Sequence, residues 1–103
     1  MYDRKVKLIA HTFTQDASGE FIENTPTERY VWAEVREITR GEWLAAGQQG
    51  YNPDTEIVMQ TVNYNGEAEV EVDGKVLSVY RTYTRQNSDE VELYCEKKVG
   101  ANG

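Results

Sequence analysis

The stretch Tyr64-Asn65-Gly66-Glu67-Ala68-Glu69-Val70-Glu71-Val72-Asp73-Gly74-Lys75-Val76-Leu77 decides the fold. It holds two dipeptides, Asn65-Gly66 and Asp73-Gly74, of the kind that supplies the positive φ angles a two-residue hairpin turn requires. Each is expected to turn a tight antiparallel hairpin. Between them Ala68, Val70 and Val72 alternate with Glu67, Glu69 and Glu71. That is the period of a strand with one packed face and one face toward water or a partner.

Working outward, residues 75–84 continue as a strand, Gln86 to Asp89 make a turn, and 90–98 form a last strand with Val91, Leu93 and Cys95 inward. Upstream, 55–64 reads as a strand entered through the loop Tyr51-Asn52-Pro53-Asp54. Residues 28–38 form the clearest strand of the first half. Val31, Ala33 and Val35 make its core face, while Trp32 falls on the other parity, where a neighbouring element or subunit could cover it. Residues 5–13 are a first strand and Gln15 to Glu20 a turn. Phe21 to Thr27 then serves as an extended arm or return leg, because Pro26 disfavours a central strand position.

Between the strands at 28–38 and 55–64 lies one short helix. Thr39 or Gly41 stands near its N-cap, Glu42 in the favourable first turn, and Gly47 or Gly50 at its end. Trp43, with Ala46 and Gly47 three and four residues on, is expected to anchor that helix on the sheet. Five or six short strands would leave open edges that invite aggregation, and closure removes them. The expected fold is mainly β: a small antiparallel β-barrel with one short helix between strands. It forms one domain over residues 1–99, with 100–103 a disordered tail.

The net charge of −7 argues against a protein that grips nucleic acid through a basic patch. A single cysteine, Cys95, allows neither an internal disulfide nor a CxxC redox pair. No apolar run approaches a membrane span, and Val6 to Ala10 is too short for a signal core. No cofactor is expected. The one histidine, His11, has no HxH, HExxH or DxDxDG context for a metal. A Cys95–His11 catalytic pair would require the first and last strands to meet when the barrel closes, with both residues inside strands rather than in a cleft. Glu67, Glu69 and Glu71, roughly 6–7 Å apart along one strand face, stay ionised rather than splitting into an acid and a base. They read as a solvated face, or as a negative surface for a basic partner or a channel. No catalytic constellation emerges.

The candidate interaction element runs from Arg36 to Asn52. It offers Trp43, Leu44, Ala46, Gln48 and Tyr51, with the small residues that allow close approach beside aromatic anchors. A helix merely plugging one end of the barrel is the plainer alternative for the same segment. Trp32 and the carboxylates Glu67, Glu69 and Glu71 complete the candidate set.

The order of these features carries a resemblance. Val31-Trp32-Ala33-Glu34-Val35 is followed within ten residues by Glu42 and Ala45-Ala46-Gly47-Gln48. Then come the hairpin Asp73-Gly74-Lys75-Val76-Leu77 and the terminal Val91-Glu92-Leu93-Tyr94-Cys95-Glu96. Over residues 4–98 the chain resembles the head–tail joining (head closure, or stopper) proteins of long-tailed bacteriophages and prophages. It departs from them at Ile57-Val58-Met59-Gln60-Thr61, where the family often alternates arginine with isoleucine. The resemblance implies a structural subunit that is made in the host cytoplasm and assembles as a homo-oligomeric ring at the virion head–tail interface. Its partners would be the portal and adaptor ring above and the tail completion protein below. It would enclose double-stranded DNA without reading its sequence, with residues 39–53 at the channel or an axial contact and the acidic 67–73 strand at a lateral or lumen face. Two alternatives stand beside it. One is another connector component, an adaptor or tail completion protein. The other is a small barrel binding single-stranded nucleic acid through Tyr80-Arg81-Thr82-Tyr83-Thr84-Arg85. A hydrolase is the least favoured.

Overall fold

Asp73 and Gly74 take φ angles of 52° and 80°, the doubly left-handed geometry of a two-residue hairpin turn. They join strands β6 (Glu69–Val72) and β7 (Lys75–Thr84), with Val72 opposite Lys75. The computed structural model describes residues 2–98, so the expected disordered tail at 100–103 lies outside the described residues. The other elements are β1 (Arg4–Ala10), β2 (Phe13–Gln15), β3 (Phe21–Glu23), β4 (Thr27–Glu37), helix α1 (Arg40–Gln48), β5 (Pro53–Gln60) and β8 (Glu90–Lys97).

Six strands close an antiparallel barrel in the order β1–β4–β5–β8–β7–β6, and β6 returns to β1 with Leu8 opposite Val70. The inward parity of each strand supplies the core. Val6, Leu8, Val31, Ala33, Ile57, Met59, Val70, Val72, Leu77, Val91, Leu93 and Cys95 form one buried cluster. Each Val, Leu, Ile or Met side chain among them contributes roughly 1.5–3 kcal/mol when taken fully out of water. β8 sits between β5 and β7 rather than beside β1, so the first and last strands do not meet. Burial pushes the Cys95 thiol up to about 12, with nearby Asp54 adding to the effect. A Cys95–His11 pair is therefore ruled out by topology as well as by chemistry.

Asn65-Gly66 does not turn a hairpin. After β5 the chain makes a 3₁₀ turn at Thr61–Asn63 and crosses the barrel mouth to β6. β5 and β6 occupy the third and sixth places in the ring of six strands, on opposite walls. Gly66 takes a φ of 83° in the middle of this crossing. Tyr64 packs on the core from above, and its hydroxyl donates to the Glu67 carbonyl at 2.7 Å. Ala68, read as a core residue, is exposed, because regular strand begins only at Glu69.

Helix α1 begins as its sequence requires. The Thr39 hydroxyl accepts from the Glu42 N–H at 3.2 Å, and Gly50, with φ 91°, ends the turn that follows. The helix does not plug the barrel. It lies on the outer wall, where Ala46 is buried outside the barrel core and Glu42 reaches the outward-facing Arg81 of β7. Glu42, Ala46 and Gln49, spaced four and three residues apart, make its inner face. Trp43 and Leu44 point away, so Trp43 does not anchor the helix on the sheet as its spacing had led one to expect.

β2 and β3 pair only with each other, forming a two-stranded arm outside the barrel. Asp16 fixes the arm's turn. Its carboxylate accepts from the Ser18 hydroxyl at 2.8 Å and from the backbone N–H groups of Glu20 and Ser18, each at 2.9 Å, and those contacts hold it below its usual range.

Candidate interaction surface

The outer wall beneath α1 is a row set by strand register. Arg36 of β4 lies opposite Glu56 of β5, Glu56 opposite Tyr94 of β8, and Tyr94 opposite Arg81 of β7. The Arg81 guanidinium stacks 4.1 Å from the Tyr94 ring centroid and pairs with Glu42. Glu42 also accepts from the Tyr80 hydroxyl at 2.6 Å, while Tyr51 stacks on Tyr80 with centroids 4.7 Å apart. A β-bulge between Val79 and Arg81 places these adjacent residues within reach of one helix. Beneath α1, burial and the neighbouring Glu92 raise the Glu56 carboxyl, with Arg36 opposing them at 3.7 Å. The cleft between helix and wall, about 200 Å³, is thus lined by polar groups already paired with one another.

The candidate residues of this segment separate into two sets. Trp43 and Leu44 are 55% and 50% exposed, and Gln48 is also exposed. With Ile38 and Arg40, Trp43 and Leu44 line an open groove of about 340 Å³. Ala46 is buried against the wall, while Tyr51 stacks on Tyr80 and keeps part of its ring exposed. Trp32 is 56% exposed on the outer face of β4, two residues from exposed Tyr30. Lys5 and Lys7 of β1 lie over the Tyr30 ring at 5.4 and 5.9 Å.

The acidic face is not the open negative surface its alternation implied. Glu67 and Glu69 are only 5% and 8% exposed. Arg29 donates to Glu67 at 2.5 and 3.0 Å and to the Asn63 carbonyl at 2.8 Å, closing the barrel mouth under the crossing segment. Glu69 is held by His11 at 2.8 Å and Lys98 at 2.7 Å, and Glu71 by Lys7 at 3.3 Å. A charge met by a partner of opposite sign contributes little field to a channel, so an acidic lumen built from 67–73 is withdrawn.

His11 joins the arm to the barrel, with one ring nitrogen 2.8 Å from Glu69 and the other 2.8 Å from Glu23 at the end of β3. Hydrogen bonds to Glu69 and then Glu23 raise its pKa. The charged bridge is therefore fully present below the ordinary histidine value of about 6.5 and is lost as pH rises through the higher folded value. Backbone NMR order in residues 13–23 is expected to fall across that rise in the wild type. In His11→Asn it should be low at every pH. An arm equally ordered at low and high pH would remove His11 from this role.

The arm is the surface that sequence reading missed. Phe13, Phe21 and Ile22 are all exposed, Phe21 at 73%. The register pairs Phe13 with Glu23 and Gln15 with Phe21, so both phenylalanines lie on one face. Apolar residues on a two-stranded arm are buried only where a third strand or a helix covers them, and none covers these among the described residues.

Among the described residues, no group of three or more His, Cys, Asp or Glu side chains is arranged to hold a metal ion. Among the same residues, no helix is long and apolar enough to cross a membrane. No family model and no curated protein matches the chain. Among solved structures, the chain is similar to the solution structure of protein SF1141 from Shigella flexneri 2a. The TM-score is 0.76 and the identity 18%, over 96% of this chain and 95% of that one. At that identity the likeness establishes a shared fold: this chain and SF1141 are the same small closed barrel.

Proposed function

We propose that this chain is a structural subunit of the head–tail connector of a long-tailed phage or prophage. In this reading it assembles as a ring below the portal and adaptor, closes the filled head and offers the surface on which the tail docks. One observation carries the proposal. The barrel buries its own core completely, yet large apolar side chains stand exposed on the two elements added outside it, α1 and the β2–β3 arm. Contiguous exposed apolar surface marks a place where another macromolecule sits. A subunit that completes its contacts only in an assembly gains stability there by mass action. The sequence resemblance over residues 4–98 supplies the particular assembly.

The rival reading, a groove for single-stranded nucleic acid along β7, is weakened by the row beneath α1. Tyr80 is stacked on Tyr51 and Arg81 is paired with Glu42, so neither offers a free ring or charge to a base or phosphate. The test adds the purified protein to DNA-filled heads that carry portal and adaptor but lack tails. Nuclease-resistant DNA is then followed over time. The proposal expects DNA to stay protected in proportion to bound protein. Leakage at the rate of untreated heads would overturn it.

A further inference from the structure

Two of the exposed apolar features among the described residues, the β2–β3 arm and the α1 groove, lie at opposite ends of β4. β1 leaves the barrel into the arm where Ala10 pairs with Thr27, the first residue of β4. α1 follows from the other end, after Glu37. Eleven residues of strand lie between, about 33 Å at a rise of roughly 3.3 Å per residue. The arm therefore cannot fold back onto the groove of its own chain.

The two features are both apolar and are complementary in charge. The groove is an apolar trough between Ile38, Trp43 and Leu44, and Arg40 is the only charged residue lining it. Arg40 makes no ion pair among the described residues. The arm presents Phe13 and Phe21 on one face and carries Asp16, Glu20 and Glu23, with no lysine or arginine from residue 12 to 28. Asp16 is consumed by the turn and Glu23 by His11, which leaves Glu20, next to Phe21, to meet a cation.

We infer that the β2–β3 arm of one subunit docks in the Ile38–Trp43–Leu44 groove of a second copy of this chain, Phe21 entering the trough and Glu20 pairing with Arg40. Because the donor and acceptor surfaces differ, the contact is head-to-tail. It propagates from copy to copy and closes only when the rotation per subunit allows a ring. The arm offers far fewer than the roughly 20–30 residues a side of a stable interface. The free chain is accordingly monomeric at micromolar concentration and assembles where a template raises the local concentration. The inference deepens the connector reading by naming the contact between subunits. Its test contains no phage particle, so its failure and the failure of that reading are distinguishable.

The experiment follows amide and Trp indole NMR signals of the full chain from about 10 µM to about 1 mM, a range that reports dissociation constants worth roughly −4 to −7 kcal/mol. Arm amides and the Trp43 indole should shift together along one binding curve. Phe13→Ser/Phe21→Ser and Leu44→Ser should each weaken association at least tenfold. Mixing the two variants should restore a single contact and stop at a 1:1 heterodimer, the signature of a head-to-tail interface. Glu20→Lys and Arg40→Glu, which touch no packed residue, should each weaken it, and the doubly reversed chain should recover. No concentration dependence up to about 1 mM, or association unchanged in both the arm and groove variants, overturns the inference and assigns the arm to a different chain.

Discussion

Leu93→Ala is expected to remove about 2–5 kcal/mol, the cost of deleting a buried leucine and leaving a partly collapsed cavity. Leu93 is fully buried on β8, the strand hydrogen-bonded to both β5 and β7. A domain of this size holds only about 5–15 kcal/mol in total. The change should therefore lower the melting temperature by roughly 8–40 °C, at about 4–8 °C per kcal/mol for a domain near this length. Trp43→Ala is the companion measurement. Its ring is the larger, yet it stands outside the fold, so its removal should change stability by no more than about 0.5 kcal/mol. If Trp43→Ala were as damaging as Leu93→Ala, the indole would be anchoring α1 on the wall and the groove would not be a free surface.

Arg29→Ala should have the second largest effect, about 2–4 kcal/mol: Arg29 is itself half-exposed, so the cost falls below that of a fully buried pair, but its removal strands the buried Glu67 charge. Burial alone would raise the Glu67 carboxyl. The Arg29 guanidinium and the Asn65 N–H outweigh it and hold the group below its ordinary value. Stability from this pair is thus present above the unfolded carboxylate value of about 4.3 and is lost as pH falls through the lower folded one. Arg29→Ala removes the main cause of the depression and leaves burial to raise the carboxyl, so the stability gap between variant and wild type should be widest near neutral pH and narrow in acid as Glu67 takes up a proton. In Arg29→Ala/Glu67→Gln the stranded charge is gone, and urea unfolding should recover half or more of the loss. Equal stability of the single and double variants would mean that Glu67 reaches water on its own.

What the sequence made legible were features whose cause is local. Asp73-Gly74 formed its turn because both flanking strands pair directly. Thr39 capped α1 because hydroxyl and N–H lie three residues apart. The parities of β4 and β8 gave the core face, and edge avoidance gave the closed barrel. The misread features have causes elsewhere in the chain. Asn65-Gly66 carries the same local signal as Asp73-Gly74. β5, however, is claimed on both sides by β4 and β8, so the chain must cross the mouth instead of turning back. The glutamate alternation was read as solvated because the groups that bury it, Arg29, His11 and Lys98, come from 38, 58 and 29 residues away. The arm's phenylalanines were hidden for the opposite reason. Phe21 was read only as part of an extended arm or return leg, and no local signal says that nothing packs over that arm.

These corrections move the working surfaces. The acidic strand becomes an internal brace, while α1 and the arm carry exposed apolar groups. The connector reading then stands on a direct view of the particle. Electron cryo-microscopy of tail-less, DNA-filled heads after incubation with this protein should show an added ring of barrels beneath the adaptor. The DNA should end above it, and neighbouring barrels should be joined through arm and groove. Heads without added density, with the protein found on tail tubes or free in solution, would contradict the account.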